Sequence, residues 1–365
     1  MQVIICGGGV IGAAVAYFLS RRGARPIIVE RTGIACAASG KSGGFLALDW
    51  CDGTPLADLA RRSFLLHAEL AKMIDRDWGY RRLTTYAGRA GARPGQGHIP
   101  RLAWLSDAVR VGQRLGSPDT TAQVNPGQFA AALIAAAQAA GGEVRPGTVT
   151  GLNIVGPRVK GVVVDGEVIA ADAVVIAMGP WSLLAARWLP LPPVFGLKGH
   201  SLIFETGARM PAEALFLETR DSNGSLESPE VFPRADGTTY VCAISSDSPL
   251  PVDPGAVAPD HGAIARLEAI AAGLSPILAG APIIARQACF RPVTRDGLPL
   301  IGAIPAIEGV YVATGHSVWG ILNAPATGEA VAELIVDGAA RTVDLSAFDP
   351  GRMPSLDPKG LSFDA

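Results

Sequence analysis

A chain of 365 residues is long for one core and suits two interleaved domains. Its hydrophobic fraction of 49% and charged fraction of 18% describe a globular protein and exclude a disordered one. A net charge of −2 without a long basic run argues against nucleic acid as a partner.

The first thirty residues organise the rest. Val3, Ile4, Ile5 and Cys6 form an apolar strand, and the next six residues fit G-x-G-x-x-G at Gly7, Gly9 and Gly12. Small residues from Ala13 continue as a helix that Gly23 stops, and Ile27, Ile28 and Val29 make a second strand ending in Glu30. The first glycine permits the tight turn, the second lets backbone approach a pyrophosphate, and the third lets the helix lie close on the sheet. The helix N-terminus, at Val10 and Ile11, offers N–H groups and partial positive charge to phosphates. Glu30 stands eighteen residues after Gly12, placed to accept from ribose hydroxyls. A carboxylate there disfavours a 2′-phosphate despite the adjacent Arg31. The pattern reads as a dinucleotide site, with a merely structural turn as the alternative.

Residues 36–46 are small and aperiodic, so they read as a loop. Ser39, Ser42, Gly43 and Gly44 would present backbone N–H groups to a flat or anionic ligand, or form plain surface. Helical spacing runs over 56–77, and 80–118 reads as strands and loops of a second lobe. Asn125-Pro126 opens a helix over 127–140 that Gly141-Gly142 closes. Strand signals follow around Val149, then a hairpin over 159–169 turning at Asp165-Gly166. Residues 173–177 are fully apolar, as in a buried parallel sheet. They lead to Gly179 and Trp181, at the strand end where doubly wound sheets place ligands. Residues 195–250 alternate as antiparallel strands, 252–259 form a proline-rich connection and 263–274 a helix. The segment 289–302 precedes a strand over 310–313, a turn beginning Gly315-His316, and a helix expected from about Pro325 to Val336.

Five cysteines, at 6, 36, 51, 242 and 289, contain no CxxC and suggest reduced thiols in a cytoplasm. No metal site is expected. The first strand starts at residue 3 and no apolar run is long enough to span a bilayer, so neither a leader nor a membrane span is expected.

These segments, in this order, resemble the D-amino-acid oxidase/glycine oxidase family of FAD-dependent enzymes, and within it are similar to a poorly characterised branch. Residues 1–30 resemble the family's site for the ADP part of FAD, 39–44 its flavin-side loop, and 177–181 its ATG-x-W strand end. Arg291 to Gly302 matches RPxTxDGxPxIG, and Gly315 to Gly328 matches GHxxxGxxxxPxTG. The resemblance implies an α/β protein: a Rossmann-like FAD-binding domain of glutathione-reductase type with a second, mainly antiparallel β-sheet substrate domain. Residues 1–47, 123–195 and 286–345 are expected in the first, 48–122 and 196–285 in the second, and 346–365 as a tail.

The resemblance also implies chemistry. Hydride passes from the carbon beside an amine to flavin N5, the imine hydrolyses, and O2 reoxidises the flavin. The expected partners are a small amine or amino acid and O2 or another electron acceptor. Backbone N–H groups at Gly320, Ile321 and Leu322 would stabilise charge on the reduced flavin. Arg291 matches the arginine that clamps a substrate carboxylate through two parallel hydrogen bonds, with a structural salt bridge as the other reading. His316, in the flavin-facing turn, is either a general base or a packed histidine. Ser317-Val318-Trp319 depart from glycine oxidase, which carries an arginine in this turn, and that argues against a glycine-like substrate. Trp319 either lines the pocket or packs. Cys289 sits where sarcosine-oxidase relatives tether flavin, or is a small buried thiol. His200, Lys41 and Lys198 are lesser pocket candidates. The competing readings are a 2-hydroxy-acid dehydrogenase of the same fold and a flavin-stabilised regulatory or scaffolding protein with little turnover.

Overall fold

Gln2–Cys6 lies near the middle of a six-stranded sheet, parallel to Arg25–Glu30 on one side and Ala173–Ile176 on the other. Glu143–Pro146 and Val310–Thr314 continue the parallel arrangement outward, and Leu300–Ala303 closes one edge antiparallel. Both faces of the central strand are covered, which is why Val3, Ile4, Ile5 and Cys6 are apolar without alternation and fully buried. One face packs on the helices Val10–Arg21, Pro126–Ala139 and Gly320–Val336. The other packs on the three-stranded layer of Val149–Val155, Arg158–Val164 and Glu167–Ala170. This computed structural model describes residues 1–91, 101–220, 224–305, 307–357 and 359. Residues 92–100 of the expected second lobe, and 358 and 360–365 of the expected tail, lie outside the described residues.

The second lobe is a twisted sheet ordered Ile283–Val293, Phe195–Glu205, Thr238–Ser246, Glu230–Pro233, Glu213–Arg220, Thr84–Ala90, Val109–Gly116. Every neighbouring pair is antiparallel except Glu213–Arg220 with Thr84–Ala90. Helix Ala263–Leu274 covers one face with Leu267, Ala271 and Leu274. A small sheet of Phe45–Ala47, Thr121–Gln123 and Arg81–Arg82 joins the lobes. Among the described residues, no helix is long and apolar enough to cross a membrane.

Three features differ from the expected division. Helix Ala57–Met73 comes from a segment expected in the second lobe, yet it buries Leu59, Phe64, Leu66 and Leu70 in the core of the first-lobe helices. Strand Ile283–Val293 runs past the expected boundary at 286 as an edge strand of the second sheet. The last helix begins at Gly320, so Pro325 lies inside it rather than at its start. A proline cannot donate to the carbonyl four residues back. Here the neighbouring helix replaces the bond: His67 Nε2 lies 3.0 Å from the Ile321 carbonyl oxygen and 3.2 Å from that of Leu322. The Ala326 N–H is taken by Ser63 Oγ at 3.1 Å. Ser63 and His67 are one turn apart, so one helical face supplies both repairs.

Candidate active site

A cleft of about 440 Å³ runs between the lobes, from Gly9 and Glu30 at one end to Glu230, Arg291 and His316 at the other. At the first end the glycines are obligatory. Gly7 has φ +112°, and a Cβ there would lie 2.4 Å from the Ala177 carbonyl oxygen. A Cβ on Gly12 would lie 2.0 Å from the Gly7 oxygen. Helix Val10–Arg21 has no side-chain cap from its N-cap residue and no acid in its first turn. The Val10 N–H donates to Ser39 Oγ at 2.9 Å, tying the following loop to the helix start. Glu30 is held by backbone donors: Gly8 N–H at 2.7 Å, Thr32 N–H at 2.8 Å and Gly33 N–H at 3.2 Å. Arg31 donates to the Val252 carbonyl at 3.0 Å. A glycine floor, a helix start whose N-cap residue has no side chain and a fixed carboxylate at the rim fit the ADP moiety of FAD.

Along the middle, Val10, Ile11, Ser39, Ser42, Gly43, Val149, Gly179, Trp181, Gly320 and Ile321 line the cleft. Gly43 rests on Phe232, where a Cβ would come within 2.3 Å of the ring. Trp181 donates through Nε1 to the Pro251 carbonyl at 2.8 Å. Gly12, Gly44, Leu322 and Trp319 are not lining residues. Gly44 is needed for a close backbone approach, its Cβ position being 2.1 Å from the Val124 oxygen. Trp319 packs against the first-lobe core, the second of the two readings open for it.

At the far end Arg291 extends across Gly199 and donates to Ser245 Oγ at 2.5 Å. The guanidinium lies over Gly199, where a Cβ would stand in ordinary contact, 3.4 Å from Arg291 Nη2. His316 is buried, with Nε2 3.1 Å from Thr327 Oγ1. Burial pushes its pKa down to about 3, so the ring is neutral and a weak proton acceptor near pH 7. His200 lines the cleft but both its nitrogens are engaged. Nδ1 donates to the Ile244 carbonyl at 3.2 Å, and Nε2 accepts from the Asp260 N–H at 3.0 Å. Lys198 is paired with Asp260 at 2.5 Å. Burial opposes ionisation of Asp260, but hydrogen bonds from Lys198, Ser246 and Ser248 outweigh it and hold the carboxyl far below the usual range. Lys198 and His200 therefore anchor one loop. Lys41 donates to the Ala288 carbonyl at 3.2 Å. Cys289 lines the cleft, and desolvation raises its thiol pKa against the pull of Arg291 and Lys41.

The cleft wall also contains Glu230, Tyr240, Cys242 and Ser245, which reasoning from the sequence missed. Their one signal is alternation: Glu230 with Phe232, and Tyr240 with Cys242, share a face of neighbouring strands.

A family profile described as FAD dependent oxidoreductase (DAO) matches residues 2–334. The protein C1F5.03c of Schizosaccharomyces pombe is 30% identical over 379 residues, covering 96% of this chain and 97% of that one. The glycine oxidase of Geobacillus kaustophilus is 30% identical over 383 residues, covering 95% of this chain and 96% of that one. A crystal structure of glycine oxidase from the same species aligns with a TM-score of 0.80 at 27% identity, over 96% of this chain and 99% of that one. The profile spans both lobes and the glycine cradle, so the chain belongs to the FAD-dependent oxidoreductase family of the D-amino-acid oxidase type and takes FAD as its cofactor.

Proposed function

We propose that this enzyme oxidises a small amine or amino acid bearing a carboxylate. The observation that carries this reading is Arg291: a guanidinium at the end of the cleft opposite the nucleotide cradle, lying over Gly199 with one hydrogen bond anchoring it to Ser245. Such a fork is suited to a carboxylate. FAD, when bound, supplies a hydride acceptor for the carbon beside the substrate nitrogen, and O2 is the proposed final electron acceptor. The chain's own residues bind and orient. Arg291 holds the carboxylate. Gly320 and Ile321, in the first turn of the last helix, line the cleft, where a backbone N–H donated to developing negative charge would be worth ~2.7–4 kcal/mol by analogy with other preorganised sites. His316 is too weakly basic to remove a proton near neutrality, so the substrate nitrogen reacts as the free amine. The imine then hydrolyses in water. The glycine oxidases of similar sequence and fold support the amine reading. The five free cysteines fit a reducing cytoplasm.

An anaerobic screen of amines, amino acids and 2-hydroxy acids tests this, followed by loss of flavin absorbance. We expect bleaching by at least one carboxylated amine and none by hydroxy acids. Bleaching by hydroxy acids alone, or by nothing, would overturn the reading.

A further inference from the structure

We propose that Glu230 is the cation-recognising residue of the substrate pocket, so that the enzyme selects zwitterionic amino acids over simple carboxylates and hydroxy acids. This rests on the amine-oxidation reading above and narrows its substrate class.

Four neighbouring strands build the floor of the far end. Arg291 starts on the edge strand, and Gly199 is on the next. Ser245 and Cys242 are on the third, and Glu230 is on the fourth, directly opposite Cys242. The guanidinium crosses the second strand to reach Ser245 on the third. The Glu230 carboxyl reaches back to the third from the other side, meeting the Cys242 thiol at 3.5 Å. The two charged ends therefore approach each other over the same strand. Ser245 and Cys242 are three residues apart along that strand with a bulge between them, so the two ends are offset along it by roughly 7–10 Å. No ion pair within 4 Å joins them among the described residues. A gap of that kind suits a short molecule with an anion at one end and a cation at the other.

The chemistry of Glu230 points the same way. A thiol is a weak donor, and it is the only hydrogen-bond partner of this carboxylate among the described residues. Arg291 acts on Glu230 through space, but desolvation is the larger effect and raises its pKa. A carboxylate on a cleft wall with so little compensation is a poorly satisfied acceptor. A substrate ammonium would supply the missing partner, and passing one proton to the Glu230 carboxylate would leave the free amine that is oxidised. A hydroxyl in its place would donate one hydrogen bond without the positive charge, a methyl group would leave the carboxylate as it was, and a second substrate carboxylate would be repelled.

Three ligands of one shape isolate this interaction, and none carries a hydrogen on the carbon that would be oxidised. They are 2-aminoisobutyrate, 2-hydroxyisobutyrate and pivalate, which place an ammonium, a hydroxyl and a methyl at one position. Dissociation constants are read from flavin absorbance changes of the FAD-loaded protein. The wild type is expected to bind the ammonium compound about tenfold or more tightly than the other two. Glu230→Gln, nearly isosteric, should bring the three within about twofold while retaining FAD, and Glu230→Asp should restore part of the preference. Arg291→Gln should weaken all three together. Equal binding of the three by the wild type, binding of none, or an unchanged preference in Glu230→Gln overturns the assignment. If amino acids bleach the flavin but the preference ignores Glu230, this inference fails and amine oxidation stands. If 2-hydroxyisobutyrate binds best and only hydroxy acids bleach, amine oxidation itself has failed.

Discussion

Replacing His67 with phenylalanine tests how the last helix tolerates its internal proline. The imidazole is fully buried, tilted against Phe129 with centroids 4.7 Å apart, and its Nε2 faces the carbonyls of Ile321 and Leu322. Phenylalanine keeps a ring in that space but brings no donor. A buried carbonyl left without a partner costs ~1–3 kcal/mol. A second effect depends on pH. Burial pushes the His67 pKa down to about 4 from 6.5, although the bonds to Ile321 and Leu322 pull the other way. The unfolded chain therefore binds more protons than the folded one between these values. The stability tied to the neutral ring is complete above about pH 6.5 and is lost as pH falls towards about 4. At about pH 5, some 1.5 units below the unfolded value, the wild type has lost ~2 kcal/mol from this source. Phenylalanine does not titrate. His67→Phe should thus be ~1–3 kcal/mol less stable near pH 7.5, and the deficit should shrink by ~2 kcal/mol near pH 5. Urea unfolding followed by circular dichroism at both values measures it, at matched cofactor loading. A deficit that does not change with pH would refute the buried neutral imidazole, and no deficit near pH 7.5 would refute its role as donor.

Arg291→Ala should lower kcat/KM for carboxylated substrates about 10–100-fold, as expected for a charge-assisted hydrogen bond, and spare amines without a carboxylate. Steady-state kinetics on both classes decides, and equal losses would remove the clamp. Glu30→Ala strips the acceptor from three backbone N–H groups, so the Kd for FAD, from fluorescence titration, should rise about 10–100-fold. An unchanged Kd would mean that Glu30 serves only the loop. Gly328→Val drives side-chain atoms into Ala14, where even a Cβ would stand 2.5 Å from the carbonyl carbon. Overpacking of ~1–3 kcal/mol or more should appear as a lower Tm and poor soluble yield. Cys289 is expected to carry no flavin, because its raised pKa disfavours the thiolate. Intact mass after denaturation should equal that of the bare chain, and an added FAD mass would establish a tether.

The nucleotide cradle was legible because its residues are adjacent in sequence. Strand, glycine turn, helix, strand and acid fall within thirty residues, and each glycine has a local steric reason. Arg291 was legible as part of a contiguous motif. The far end of the cleft was not, because Glu230, Cys242 and Ser245 meet only after strands distant in sequence pair. Alternation tells which residues share a face, not which face meets the ligand. Pro325 misled for a related reason. Proline near a helix start is the common case, and its tolerance in the sixth position depends on Ser63 and His67 from another helix. Helix Ala57–Met73 shows ordinary amphipathic spacing, and nothing in that spacing names the lobe it will cover.

The loop at Ser42 and Gly43 is gripped by the second sheet and by the small sheet that joins the lobes. Arg234 donates to the Ser42 carbonyl at 2.8 Å, Gln123 donates to that of Gly43 at 3.2 Å, and Phe232 lies beneath Gly43. Contacts from the second sheet thus help fix a loop that lines the coenzyme cleft. Loosening Arg234 is therefore expected to hasten coenzyme exchange without altering a single atom of the glycine turn.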